Sequence, residues 1–208
     1  MLSTLIVPGL NGSGPTHWQS WFEQLLPEAR RVVQDDWSTA DLPRWRERVQ
    51  ASIDASVGRV VLVAHSFGCL ASVAAAARQP DRIAAALLVA PADPRKFGVS
   101  QLLPAGHLGF PSIVVASAND PWVSLATARH WAGRWASRFI NVGDQGHINV
   151  DAGFGPWPEG FELYESLVAS VLRPTALPPR ARRAPRNGIG TQTDSAVAAS
   201  LNGFAPLY

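Results

Sequence analysis

Three features of the 208-residue chain predict an α/β fold, a mostly parallel sheet covered by helices on both faces. Apolar β-branched runs alternate with amphipathic stretches as far as about residue 172. The runs are continuously apolar and lack a polar alternation, as strands buried on both faces are. Apolar residues make up 47% of a chain long enough for one domain with a sizeable core.

Leu5-Ile6-Val7 reads as the first strand and Gly9 to Pro15 as a glycine-rich loop. Trp18, Trp21, Phe22, Leu25 and Leu26 then recur at helical spacing and mark one apolar face. Arg31-Val32-Val33 is a short second strand, and Asp41 with Pro43 starts a helix whose inner face is Trp45, Val49, Ile53 and Val57. The run Val60 to Ala64 leads to Ser66, after which Cys69 to Ala77 form a small-residue helix. Ile83 to Ala90 and Ser112 to Ala116 are strands, ending at Pro91-Ala92-Asp93-Pro94 and Ser117-Ala118-Asn119-Asp120. Residues 123–136 are helical, Arg138 to Val142 form the last strand, and Glu159 to Leu172 the closing helix, with Phe161, Leu163, Tyr164, Leu167 and Val168 apolar. The domain spans 1–173.

Residues 174–208 change character. Pro174, Pro178, Pro179 and Pro185, interleaved with Arg180, Arg182, Arg183 and Arg186, suit no core segment and predict a disordered Pro/Arg-rich tail. A sharper reading makes the tail an arm that contacts a protein partner or an acidic surface. Residues 173–208 hold five arginines and one acid, so the rest of the chain carries 13 basic and 15 acidic groups. The basic balance therefore belongs to the tail, and a nucleic-acid face on the domain is not supported. The single cysteine, Cys69, excludes an internal disulfide and reads as a small core residue. The N-terminus has no basic leader pattern and no window approaches a membrane span. The expectation is a cytoplasmic enzyme with no membrane contact.

The chemistry concentrates at strand ends. Ala64-His65-Ser66-Phe67-Gly68 is a strand, a sharp turn and a helix with a serine at the turn. Such a turn lifts one hydroxyl clear of the backbone. The alternative is a serine that only caps a buried helix. A serine hydroxyl needs a base within reach, and the base needs a group to orient it. Ser66, Asp120 and His147 follow in the order nucleophile, acid, histidine, each just after an apolar run. Imidazole titrates near neutrality, which suits a residue that takes a proton and returns it. Asp93 is the rival acid, disfavoured by its two flanking prolines. Backbone N–H groups of Phe67 and Leu10 are the expected oxyanion donors. The glycine-rich loop has a phosphate cradle as its alternative reading, but no Gly-Lys-Ser/Thr and no Gly-x-Gly-x-x-Gly opening a helix accompanies it. The candidate pocket residues are Asn11, His17, Leu103, Phe110 and Trp122, with Leu102 and Leu108 nearby; for His17 a packing role is equally open. His65 is expected to pack inward. The five histidines lack metal-ligand spacing, so neither metal nor cofactor is expected.

Val7 to Gly14 with His17-Trp18, Ala64 to Gly68, Ala118 to Pro121 and Gly146 to Asn149 together resemble the small α/β-hydrolases related to retinoblastoma-binding protein nine. The resemblance covers residues 3–172 and leaves out the tail. It implies a compact α/β-hydrolase core without a large cap domain, and serine-hydrolase activity on small esters through Ser66, Asp120 and His147. The 92–111 segment is itself too short for a large lid, which predicts an open, shallow site. The expected reaction is hydrolysis of small carboxylic esters or thioesters. Two other readings stay open: an amidase or peptidase using the same residues, and a fold serving mainly as a protein-interaction module.

Overall fold

A computed structural model describes residues 1–173. The predicted tail, 174–208, lies outside the described residues. Six strands and five helices alternate: β1 (Leu2–Val7), α1 (Trp18–Leu25), β2 (Arg30–Arg31), α2 (Leu42–Asp54), β3 (Arg59–His65), α3 (Phe67–Ala76), β4 (Ile83–Val89), β5 (Ser112–Ala116), α4 (Leu125–Trp135), β6 (Arg138–Asn141) and α5 (Pro158–Leu172). The strands lie in the order β2-β1-β3-β4-β5-β6, and every neighbouring pair is parallel. This is the α/β-hydrolase core, and the described residues include no cap domain. No described helix is long and apolar enough to cross a membrane.

Strand alternation sorts the core into two layers. Val60, Leu62 and Ala64 of β3 join Val49 and Ile53 of α2, the residues of α3, and Trp131 and Trp135 of α4. Val61 and Val63 face the other way, with Trp18 and Phe22 of α1 and Tyr164 and Leu167 of α5. Every residue of α3 is buried, which explains why it is built of alanine and other small residues. Cys69 lies among them as the core thiol expected, its Sγ–H directed at the Val89 carbonyl.

Two expectations overran their elements. The second strand is only Arg30–Arg31; Val32 still donates to the Ile6 carbonyl, but Val33, at the sheet edge, turns outward. Val57 is exposed because α2 ends at Asp54, before the apolar period reaches it.

Strand order reverses between β1 and β3: α1 leads one way to β2, and α2 leads back to the other side of β1. In open parallel sheets the ligand crevice lies at that switch, beyond the carboxyl ends of the strands. Here the glycine-rich loop follows β1 and Ser66 follows β3. The first turn of α3 sits so close to β1 that a Cβ on Gly68 would overlap the Val7 and Pro8 carbonyl oxygens. Both contacts are backbone and cannot swing aside. Gly68→Ala is therefore expected to cost about 1–3 kcal/mol or more, read as a lowered midpoint in urea unfolding, whereas an alanine at Gly133, where nothing lies within 4 Å, should have no such cost.

Candidate active site

Ser66 takes φ 54° and ψ −123°, a backbone region that a residue with a side chain adopts only under constraint. Such a conformation costs about 1–3 kcal/mol and persists where the surroundings enforce it. Ser66 N–H donates to Val89 O at 3.0 Å, and the Ser66 carbonyl accepts from Cys69 and Ala92. These bonds tie the turn to β4 and to the first turn of α3. Gly9 completes the fit, since a Cβ there would stand 2.8 Å from Ser66 Cβ.

His147 reaches Ser66 from the loop after β6. The Ser66 hydroxyl donates to His147 Nε2 at 2.9 Å, and His147 Nδ1–H donates to Asp120 Oδ2 at 2.8 Å. The Asp120 side chain has no exposed surface. Its other oxygen accepts from Trp122 N–H at 2.8 Å and from Val123 N–H at 3.3 Å. The carboxylate is thus held on both oxygens, and its bond to Nδ1 leaves the Nε2 lone pair facing the serine. Asp93, the rival acid, is turned away by its own partner. Arg95 grips both of its oxygens at 3.0 and 2.8 Å, and these bonds hold the carboxyl below the usual range.

Two residues with no role assigned in the sequence bind the acid loop to the histidine loop. Asn119 Oδ1 accepts from Gly146 N–H at 2.7 Å, and Ser117 Oγ accepts from Gln145 N–H at 2.9 Å. A third tie comes from beneath: His65 Nε2–H donates to the His147 carbonyl at 3.0 Å. His65 does pack inward, as expected, but it also fixes the backbone that carries His147. The strand-end spacing Ser-x-Asn-Asp is the only sequence signal for the first two, and it is weak without the partner loop.

A cavity of about 500 Å³ opens over Ser66 and His147. Asn11, His17 and Trp122 line it, as the sequence suggested, and so do Leu10, Lys96, Phe97, Val150 and Asp151, which were not pocket candidates. Lys96 Nζ donates to the Trp122 carbonyl at 2.6 Å and links the loops after β4 and β5 at the rim. Leu103 and Phe110 are not brought to this cleft. Leu103 lines a separate cavity of about 700 Å³ beside α4, and Phe110 packs against the α2–α3 side of the core. Leu108 is buried and Leu102 exposed elsewhere. The cause is that the segment is pinned to the end of α4: Leu108 N–H donates to Trp135 O, and Arg134 donates to Ala105 O. The backbone N–H groups of Leu10 and Phe67 take no part in the turn, loop and cap hydrogen bonds of the described residues. Phe67 opens α3, where the first N–H groups have no intrahelical acceptor.

A serine hydrolase family model matches residues 4–166. The chain belongs to the serine hydrolase family. The crystal structure of a YdeN-like hydrolase from Pectobacterium atrosepticum is 37% identical, with a TM-score of 0.80 over 83% of this chain and 94% of that one. The ydeN product of Bacillus subtilis is 20% identical, with a TM-score of 0.69 over 81% and 100%. Est1E from Butyrivibrio proteoclasticus, solved with ferulic acid bound, is 14% identical, with a TM-score of 0.64 over 81% and 90%. The last two likenesses concern the fold alone. No curated protein matches the sequence.

Two further histidines of this serine hydrolase are held neutral. Burial, then the Arg31 guanidinium, then His147 bring His17 down to about 4. Burial, reinforced by His147 and His17, pushes His65 well below the ordinary imidazole range despite its bond to the His147 carbonyl. Both bind a proton near pH 6.5 once the chain unfolds. The unfolded state therefore binds more protons as pH falls below ~6.5, and the native state loses up to about 1.4 kcal/mol per pH unit for each such histidine. Thermal midpoints should fall between pH 6.5 and 4.5. His17→Asn, which keeps a helix-capping side chain, should make the fall shallower; an unchanged slope would mean that His17 titrates normally.

Proposed function

We propose that the protein hydrolyses small carboxylic esters or thioesters through an acyl-enzyme on Ser66. The observation that supports this most is the unbroken relay from Asp120 through His147 to the Ser66 hydroxyl, with both bonds under 3 Å.

In this reading Ser66 Oγ attacks the acyl carbon while His147 Nε2 takes its proton. The imidazolium is stabilised by the buried Asp120 carboxylate, and it returns the proton to the leaving oxygen or sulfur. The developing oxyanion lies between the N–H groups of Leu10 and Phe67, which are preorganised on the glycine-rich loop and the first turn of α3. Water, deprotonated by His147, then attacks the acyl carbon and frees Ser66. Leu10, Phe97, Trp122 and Val150 give the cavity lining apolar surface, and its volume of about 500 Å³ suits a short acyl chain. We place the activity in the cytoplasm, a reducing compartment with which the lone, buried Cys69 thiol is compatible.

A fluorescent fluorophosphonate should label the wild type but neither Ser66→Ala nor His147→Ala. Ser66→Ala should lower kcat on p-nitrophenyl acetate by roughly five to six orders of magnitude. A folded wild type that resists labelling would sink the reading. The acid is tested separately. Asp120→Asn should lower kcat by about 10⁴-fold through the wrong imidazole tautomer, with a far smaller effect from Asp93→Asn; the reverse ranking would transfer the role to Asp93. Across p-nitrophenyl esters, acetate and butyrate should be turned over faster than palmitate.

A further inference from the structure

His17 lines the cleft and carries a hydrogen-bond donor that the Ser66–His147–Asp120 relay leaves unused. The residue caps α1, and its Nδ1 accepts the Gln19 N–H at 3.1 Å. With that lone pair engaged, the neutral ring carries its proton on Nε2. The ring is only 4% exposed and lines the cleft. Trp18 packs against it at 5.4 Å and His65 at 5.0 Å, centroid to centroid. Among the described residues no acceptor meets Nε2–H. Nε2 is not among the side-chain atoms that are shut off from solvent without a partner, so in a ring that is otherwise buried this atom is the part that reaches the cavity. Its acceptor is therefore supplied by what fills the cleft.

The His65 ring packs against both other imidazoles, 5.0 Å from His17 and 4.9 Å from His147. His17 is thus close to the residue that, in the proposed reaction, protonates the leaving oxygen. Lys96, Asp93 and Asp151 also line the cavity, and Asp93 is paired with Arg95, so the lining charges single out no ionic substrate group. A neutral oxygen is the acceptor that fits. We propose that His17 is a substrate-binding residue whose Nε2–H donates to a neutral ether, hydroxyl or carbonyl oxygen in the alcohol part of the ester. It would select alcohols that carry such an oxygen over plain alkyl alcohols of the same size. This rests on the reading of Ser66 as nucleophile.

The test is a matched pair, 2-methoxyethyl acetate and n-butyl acetate, which differ by one ether oxygen in place of a methylene. Released acetate gives kcat/KM for each, divided by the rate of hydroxide hydrolysis to remove intrinsic reactivity. Wild type should prefer the methoxyethyl ester by about three- to tenfold, the span of one neutral hydrogen bond. In His17→Asn and His17→Phe the ratio should fall toward 1; unfolding midpoints identify a variant that fails to fold, in which case the wild-type ratio decides. A wild-type ratio near 1, in protein that the fluorophosphonate labels, overturns the role of His17 and leaves the nucleophile reading intact. A preference that survives in both variants also overturns it. Failure of the wild type to label overturns both.

Discussion

Gly68 brings the first turn of α3 against the carbonyl oxygens of Val7 and Pro8, too close for a methyl group to fit. That contact sets the spacing of the whole site. The helix can begin at Phe67 only if the chain reverses at Ser66, and the reversal drives Ser66 to a positive φ. No turn, loop or cap hydrogen bond among the described residues occupies the Phe67 or Leu10 N–H, the oxyanion donors of the proposed reaction. A wider gap would relax the turn at Ser66. Strain at the turn is thus tied to the packing of a fully buried helix on the sheet, and the hydrogen bonds of Ser66 to Val89, Cys69 and Ala92 spread the load over three segments.

The relay has a second dependence, on loops that carry little packing of their own. His147 lies in a stretch where Gly143, Gly146 and Ile148 all have positive φ. Such a stretch does not aim an imidazole by itself. Asn119, Ser117 and His65 aim it, each through a bond to the backbone of residues 145–147. Asn119 stands beside Asp120, so the acid and the base are positioned by one short segment at the end of β5. A polar network of this kind is worth keeping only when its members are satisfied, because an unpaired buried polar group costs more than a good one contributes.

The cleft mixes two chemistries. Phe97, Trp122 and Val150 give its lining apolar surface, while Asn11, His17 and Asp151 give it polar atoms. Burial keeps His17 and His65 neutral, so in the proposed reaction a charge on His147 would be opposed by no fixed imidazolium beside it, and its electrostatic partner would be Asp120.

Much of this was legible in the sequence, for local reasons. A continuous β-branched run such as Val60 to Val63 reads as a strand buried on both faces, and a serine between Ala64 and Gly68 with a small-residue helix directly after it reads as a sharp turn. The chain order Ser66, Asp120, His147 is a property of the sequence, and so is the glycine-rich loop that opens toward the cleft. What depended on distance through space was not legible. Asp93 and Asp120 both follow strand ends, and the prolines around Asp93 only disfavour it; tertiary structure separates them, because Arg95 occupies one and His147 meets the other. Leu103 and Phe110 are apolar and lie in the right segment, yet bonds to the end of α4 carry that segment away from the cleft. His65 and Asn119 act on residues that lie 82 and 27 positions further along the chain. The sequence alone determined the sheet, the turn and the order of the reactive groups, since these follow from neighbours along the chain. Only the tertiary structure decided which acid meets the histidine and which side chains wall the cleft, since those contacts join segments whose spacing no local pattern records.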